Sequence, residues 1–590
     1  MLSRISYVLC TLVMLYASFI FYPKWQQKGG EATISWDVYG YYTYLPATFI
    51  YKDIKKQHFL DSIIKKYRPA DDNKPGYTLD NGNEVMKYTS GMSMMYLPFF
   101  TVAHCVAPIL GFPADGYSLP YQLAIQLGGI LFAILGLWYF RKLLLLFYKD
   151  ATVAICLLLL VAGTNYLDFA AIDVGMSHSW LFTVYVFVVL NTIYFHRTYE
   201  YKYALRIGLL TGLAMLTRPT EVIAIVIPVL WGIDKIGIST IKERISLLQR
   251  HWKKILLAGV CAFTVFSIQL FYWKYVSGHW FVYSYDKQGF SWLHPHIMDY
   301  TFSYDSGWLR YSPMMLLAVL GIIPFIKNGN NKLAILCFVI INYYVVASWD
   351  IWWYGGRAMI QSYVLLFFFI ASLTEVVLNR KVWMLIFAPI VLLFIYFNIW
   401  VVNQWHLGGL LPAGDFMTKE YFWKVAGRWH VPYEVNKLRD SKDYFEGQPA
   451  NMKLEYQNNF ENDTCFCALP PIEGERSLCL DKQHHHTCEY KFVIDKNKNW
   501  VRAQATFNNP EKEWEYWRMT QFVVRFYKGS EVVKANLLRP QRFLQNGVPK
   551  DVYIDLKMPT ESFDSVAVSF VNDYTDKIML VDNLKVWSFN

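Results

Sequence analysis

The chain has 590 residues, 54% hydrophobic, 18% aromatic and only 17% charged, with a mean hydropathy of +0.20. An ordinary soluble chain carries about 25% charged residues, and apolar runs of about 18 residues or more recur here, so the composition excludes a soluble domain and calls for a polytopic membrane protein. The net charge of +10 does not point to nucleic acid, because lysines and arginines gather at the ends of apolar segments and no basic stripe with interleaved aromatics appears.

Arg4 precedes an apolar run over about residues 5–22, with no small-x-small cleavage site followed by a polar start. A retained first transmembrane helix is expected. Immediately after it, "ISWDVYGYYTYLPA" (residues 34–47) sets one carboxylate, Asp37, among Trp36, Tyr39, Tyr41, Tyr42 and Tyr44. Further spans are expected at about 119–140, 151–167, 178–195, 204–217, 219–232, 254–274, 311–326, 333–348, 358–378 and 382–402, about eleven in all. The two flanking Arg218-Pro219 read equally as one broken helix.

The run over residues 91–111 is apolar enough for a twelfth span, and charge decides against it. With 91–111 as a re-entrant or surface helix, Arg4, Arg141/Lys142/Lys149, Arg197/Lys202/Arg206, Lys235 to Lys254, Lys327/Lys332 and Arg380/Lys381 all fall on one side. The short opposite loops keep few basic residues, namely Arg218, Lys287, Arg310 and Arg357. The N-terminus is therefore expected inside a cell (inner) membrane, with the first loop (23–118) and the C-terminus outside.

Beyond Val402 the sequence becomes polar. A linker is expected over 406–439 and a domain over 440–590, where Val501/Ala503/Ala505/Phe507, Val552/Ile554/Leu556/Met558 and Val566/Val568/Phe570 alternate with period two. Such runs predict a C-terminal antiparallel β-sandwich, jelly-roll-like, outside the membrane. Cys465, Cys467, Cys479 and Cys488 fall in it and suit one or two disulfides in an exported compartment. The run His484–His485–His486 lacks zinc-finger spacing and reads as solvated.

Ionisable groups close to apolar spans are costly, so each is a functional candidate. They collect at the outer ends: Asp37, Asp173, His178, Arg218, Glu221, Asp305, Arg310, Asp350 and Arg357. The inner loops hold no phosphate-binding glycine loop and no paired acids, which argues against an ATP-driven pump. Several of these residues sit in recognisable segments: "GLAMLTRPTEVIAIVIPVLW" ending at Trp231, "DVGMSHSWLF" (173–182), "SGWLRYSPMMLLAVLGI" (306–322) and "WDIWWYGGRAMIQSYVLLF" (349–367). In order and topology, residues 1–405 resemble the GT-C superfamily of integral membrane glycosyltransferases, in particular bacterial relatives of protein mannosyltransferases and aminoarabinose transferases. The resemblance implies a mainly α, GT-C-like catalytic domain over 1–405, with an acid in the first outer loop followed by juxtamembrane helices. Many members carry two adjacent acids there, whereas Val38 follows Asp37. A two-carboxylate metal site therefore does not carry over, and a divalent metal has no support in the sequence.

The resemblance implies a polyprenyl-phosphate-sugar donor held among membrane lipids and a lipid, glycan or protein acceptor. Asp37 suits a general base, since an acceptor hydroxyl titrates far above neutrality. Trp36, Tyr39, Tyr41 and Tyr42 offer sugar-stacking faces. Arg218, Arg310 and Arg357 suit the lipid phosphate through the guanidinium fork, with His178 as a further donor. A lipid-linked glycan flippase or other transporter would line a path to both faces with charge, and a non-catalytic envelope scaffold displaying a carbohydrate-binding β domain would leave Asp37 and the arginines dispensable; in the transferase reading that domain either binds acceptor glycan or only supports the enzyme.

Overall fold

The computed structural model describes residues 1–590 apart from 236, 286–287, 351–354, 412–416, 464–466, 512–513, 515–517, 573–574 and 576. Lys287, Cys465 and the "IWWY" of the 349–367 segment thus lie outside the described residues. The chain forms two compact units, Met1–Leu411 and Pro412–Asn590.

The first unit is helical and is that of an integral membrane protein. Seven of its helices are long and apolar enough to cross a bilayer: Leu2–Gln26, Gly91–Ile109, Leu119–Leu144, Ser177–Thr198, Trp252–Ser277, Arg357–Leu378 and Lys381–Gly408. Shorter apolar helices cover Asp150–Gly163, Pro219–Leu230, Pro313–Asn328 and Lys332–Ser348. A helix satisfies its own backbone polar groups, which makes it admissible in lipid. Ser177–Thr198 and Arg357–Leu378 are almost wholly enclosed, whereas Trp252–Ser277 and Lys381–Gly408 turn bare apolar side chains outward, Leu385 at 76% exposure and Phe271 at 62%.

This set differs from the eleven expected spans. Tyr201–Thr217 drops out, as Lys202 and Arg206 lower its apolarity, and Gly91–Ile109 enters. Gly91–Ile109 packs both on the first loop and on its neighbour helices, with Met95 in the cluster of Leu181, Val184 and Ala214 and Phe99 against Trp180. Ser93 Oγ donates to the Tyr41 carbonyl, Thr89 Oγ1 donates to the Thr217 carbonyl at 3.0 Å, and His104 Nδ1 lies 2.6 Å from the Tyr121 hydroxyl. Tyr121 opens the helix Leu119–Leu144, whose far end carries Arg141, bonded to Ser3 at 2.8 Å. Arg218 adopts extended backbone (φ −146°, ψ 119°) between Tyr201–Thr217 and the 3₁₀ turn Pro219–Ile225. Proline disfavours helical backbone before it, so the chain breaks there.

The first loop folds on this scaffold. It holds the helices Trp36–Tyr42 and Phe59–Tyr67 and the strands β1 (Pro69–Asp72), β2 (Gly76–Thr78) and β3 (Glu84–Met86). β2 and β3 form an antiparallel hairpin. Val85 and Met86 pack with Tyr44, Ala47, Leu270, Tyr272 and Trp273, which fastens the hairpin to the helix Trp252–Ser277 and fixes the residues that follow it.

The second unit begins with the helix Lys419–Val425 and the 3₁₀ turn Tyr433–Arg439, so most of 406–439 is folded into it. Asp440, fully buried, accepts from Arg539 N at 2.9 Å and Arg542 Nε at 3.0 Å, tying this segment to the strands. These are β4 (Lys453–Asn458), β5 (Leu478–Leu480), β6 (Tyr490–Phe492), β7 (Trp500–Asn508), β8 (Gln521–Lys528), β9 (Glu531–Leu538), β10 (Lys550–Lys557), β11 (Ser565–Val571) and β12 (Met579–Phe589). Two antiparallel sheets result, β10-β7-β12-β4 with β5 beside β12, and β6-β11-β8-β9. They share one core: Val501, Ala503, Ala505 and Phe507 of β7 meet Phe522 and Val524 of β8 and Val566, Val568 and Phe570 of β11. The period-two pattern thus names the inward faces correctly.

Cys467 and Cys479 form a disulfide, and Cys488 is an exposed free thiol. His484 turns to Asp481, its Nδ1 3.1 Å from the carboxylate. Closing a loop of this size stabilises by ~3 kcal/mol in the chain-entropy view. Peptide mapping without reductant is expected to recover the 467–479 cross-link and alkylated Cys488. Recovery of Cys467 and Cys479 as free thiols would refute the pairing.

Candidate active site at the first loop

Asp37 occupies the first turn of the helix Trp36–Tyr42, where an acid is favoured by the helix dipole. Trp36 precedes it at φ +46°, left-handed backbone that a bulky residue adopts only when its surroundings impose it. Two donors hold the carboxylate: Tyr88 OH to Oδ1 at 2.6 Å and Arg357 Nη2 to Oδ2 at 2.9 Å. The Asp37 and Arg357 side chains each remain 24% exposed, so the pair stays open to solvent.

Local sequence explains both donors. Gly40 lies one turn beyond Asp37, and a Cβ there would sit 2.5 Å from the Tyr88 ring. Only glycine lets the ring lie flat on this helix and reach the acid. Burial, then the Asp37 charge, pushes the Tyr88 hydroxyl well above its usual range, so it stays a donor. Arg357 follows Gly355 and Gly356, both left-handed (φ +56° and +66°), and a Cβ on Gly356 would meet the Trp308 side chain at 2.5 Å. Asn165 Nδ2 donates to the Gly355 carbonyl at 2.8 Å and Tyr363 OH to Asn165 Oδ1 at 2.7 Å, locking the turn.

Arg218 lies on the same side of the unit. Its Nη2 donates to His178 Nε2 at 3.3 Å. Because a guanidinium only donates, Nε2 is the acceptor and the proton of a neutral His178 sits on Nδ1, which is buried without a partner among the described residues. His178 therefore positions Arg218 rather than offering Nε2 to a phosphate. Glu221 does not pair with Arg218; it accepts from Tyr185 OH and from Gln361 Nε2 at 3.0 Å. The Tyr41 ring links the two groups, packing on Tyr88 at 4.6 Å while its hydroxyl shares a 3.4 Å bond with Ser177.

The other expected residues are placed differently. Tyr39, Tyr41 and Tyr42 are all buried, Tyr39 and Tyr42 against Tyr117 and Tyr41 against Tyr88, and Tyr42 OH donates to the Gly116 carbonyl, so none of the three rings offers a face to a sugar. Trp36 is 41% exposed and keeps one. Arg310 donates Nε to the carbonyls of Phe302 and Ser303 and stacks on Tyr304 at 3.6 Å, all within its own loop. Asp350 accepts from Ser291 Oγ at 2.7 Å and pairs with His296.

Lys87, which sequence reasoning passed over, belongs to the site. It lies over the rings of Tyr88 (5.6 Å) and Tyr285 (5.8 Å), and no carboxylate pairs with it among the described residues. Burial holds its ammonium below the usual lysine range; Asp37 opposes this and Arg357 adds to it. Its sequence signal is weak, one lysine of ten basic residues in a long loop.

One set of side chains has metal-ligand geometry. Ligand atoms of Asp168, Asp173 and His406 lie within 4.8 Å of one another. Protein groups already neutralise the set: Lys24 is paired with Asp173, and His406 Nε2 lies 2.6 Å from Asp168 Oδ1. Asp168 Oδ2 is buried without a partner among the described residues. The arrangement reads as a buried charge network that joins the first helix, the segment after Asp150–Gly163 and the end of the last helix.

No protein-family model matches the chain, and neither does any curated protein. Among solved structures, it is similar to the cryo-EM structure of arabinosyltransferase EmbB from Mycobacterium smegmatis, with a TM-score of 0.35 and 8% identity. The match covers 85% of this chain and 60% of that one, so the chain spans less than two thirds of its length.

Gly356→Ala tests the turn that delivers Arg357. Left-handed backbone alone costs a non-glycine residue about 1–2 kcal/mol, and the clash with Trp308 adds to it. The melting temperature of the detergent-purified protein is expected to fall, and an unchanged one would remove the constraint.

Proposed function

We propose that the chain is a membrane glycosyltransferase of GT-C type, acting at the outer face of the membrane on a polyprenyl-phosphate-linked sugar. The observation that carries this reading is one acid, Asp37, held part-exposed by Arg357 and Tyr88, with Lys87 and Arg218 nearby and in no carboxylate ion pair among the described residues. The order of motifs over residues 1–405 supports it independently.

In this reading the acceptor hydroxyl donates to a free lone pair of Asp37 and passes its proton to the carboxylate as its oxygen bonds to the anomeric carbon. The bond from that carbon to the phosphate oxygen breaks, and the electron pair leaves with polyprenyl phosphate. Each Asp37 oxygen accepts one protein hydrogen bond, which leaves room for the substrate. Arg357 aims the acid through their ion pair, a different role from the phosphate contact expected of it. Lys87 and Arg218 face the departing phosphate, and Trp36 flanks the sugar. The packing of Gly91–Ile109 against Tyr41, Thr217 and Tyr121 supports a re-entrant or surface helix beside this site. The N-terminus is then inside and the second unit outside.

Mass spectrometry of envelope glycolipids and glycoproteins, in cells lacking the gene and complemented with variants, tests the reading. Asp37→Asn keeps the shape and removes the base, and is expected to lower the product about a hundredfold or more at parental expression, the scale of general-base catalysis. Lys87→Met, which removes a positive charge, and Arg218→Lys, whose ammonium does not reproduce the guanidinium fork, are both expected to weaken use of the donor. A well-inserted Asp37→Asn protein that restores parental product would end the base assignment. An envelope identical with and without the gene would end the transferase reading itself.

A further inference from the structure

The second unit carries a pocket of about 250 Å³ that the transferase chemistry does not use. It is lined by the turn Tyr433–Arg439, the segment leading to Gly447, and β10. Three of its carboxylates share one pattern. Glu434 pairs through Oε2 with Lys437 (3.1 Å), Glu446 pairs through Oε1 with Lys424, and Asp443 receives Lys534 Nζ, Asn536 Nδ2 and Lys557 N all on Oδ2. Each is thus paired through one oxygen, Asp443 the most firmly, leaving Glu434 Oε1, Glu446 Oε2 and Asp443 Oδ1 as acceptors without a protein donor among the described residues. Asp555, the fourth, is taken by Arg502 on both oxygens, at 2.7 and 2.9 Å.

This pattern selects a ligand class. With every carboxylate balanced by a lysine or arginine, the pocket has no surplus charge to attract an ion. Nor do the three open carboxylates gather as a cation site would: among the described residues, only Asp168, Asp173 and His406 bring three ligand atoms within 4.8 Å. Spread acceptors suit hydroxyl donors that are themselves spread around a ring. The half-buried Tyr444 adds an aromatic wall, and Lys437, 6% exposed and 2.8 Å from the centre of the Tyr553 ring, adds a donor at the floor.

We propose that this pocket is a saccharide-binding subsite for one neutral sugar ring, whose hydroxyls donate to Asp443 Oδ1 and Glu434 Oε1 while Tyr444 covers a ring face. It stands apart from the transferase reading, because every lining residue belongs to the second unit.

Lys437 supplies a reporter. Burial pushes its ammonium down to about 8, with Glu434 opposing, so much of it is free amine at mildly alkaline pH and its acylation is set by access through the pocket. The full-length protein in detergent is titrated by calorimetry with the methyl glycosides of glucose, mannose, galactose, arabinose and N-acetylglucosamine, and separately with calcium. At least one glycoside is expected to bind with millimolar or tighter affinity and to protect Lys437 from acylation in peptide mass spectrometry. Tyr444→Ala, at a half-buried rim position, is expected to weaken that binding about tenfold, equivalent to 1.4 kcal/mol, at unchanged circular dichroism. Asp443→Asn is the second variant, and it keeps the size of the side chain that anchors Lys534. The proposal falls if no glycoside binds, if binding survives both variants, or if Lys437 remains unprotected at saturation. Calcium binding that Asp443→Asn abolishes, with no glycoside bound, would replace it with a cation site.

Discussion

The ion pair between Asp37 and Arg357 joins side chains 320 residues apart, and the geometry of the site depends on it. A carboxylate beside a membrane span is expensive unless a fixed opposite charge meets it. That partner requires two successive left-handed glycines, the Asn165 bond to the Gly355 carbonyl and the Trp308 side chain against Gly356. The second donor, Tyr88, requires the β2–β3 hairpin seated on Trp252–Ser277 and the bare backbone of Gly40. The first loop, the break before Arg357 and the helix Trp252–Ser277 therefore act as one support for a single acid.

Elsewhere in the helical unit, buried charge is paired within the protein. Lys24 meets Asp173, His406 meets Asp168, and Glu221 is held by Tyr185 and Gln361. Each pairing joins segments distant in sequence, and removal of one partner would leave the other uncompensated at low dielectric. Against this background Lys87 and Arg218 stand out, because one is held by rings and the other by a neutral imidazole.

Much of the fold was legible in the sequence wherever a period or an apolar run repeated often enough. Long apolar runs marked helices, and alternation in β7, β10 and β11 marked inward residues. The short strands β5 and β6, three residues each, are too brief for any period to appear. The stretch 406–439 read as linker because its polar composition hides the contacts that Asp440 makes with Arg539 and Arg542. At the site, Asp37, Arg218, Arg357 and His178 were legible as ionisable groups beside apolar spans. Their partners were not, since pairing depends on which loops meet. Lys87 lay among ordinary loop lysines, and the buried Tyr39, Tyr41 and Tyr42 could not be told from the exposed Trp36 because residues of a short helix differ only in the face they present.

The absence of a second acid after Asp37 has a physical reason. Val38 is buried, and its methyls press against Gly175, close enough that a Cβ there would meet them at 2.8 Å. A carboxylate at 38 would enter an apolar contact instead of the site, at the full cost of desolvation. With one acid, the charge balance of the proposed reaction changes. Asp37 and Arg357 cancel, while Lys87 and Arg218 enter no carboxylate ion pair among the described residues, Glu221 acting on Arg218 without a direct bond. A polyprenyl-phosphate sugar is a phosphodiester with one negative charge, and the departing monophosphate carries up to two at neutral pH. Charge thus develops on the leaving group as the bond breaks, and two fixed cations stabilise the product side more than the bound donor. That difference between ground and transition state is what accelerates a reaction. Lysine and arginine can supply by themselves the counter-charge that a pair of acids would otherwise recruit through a metal.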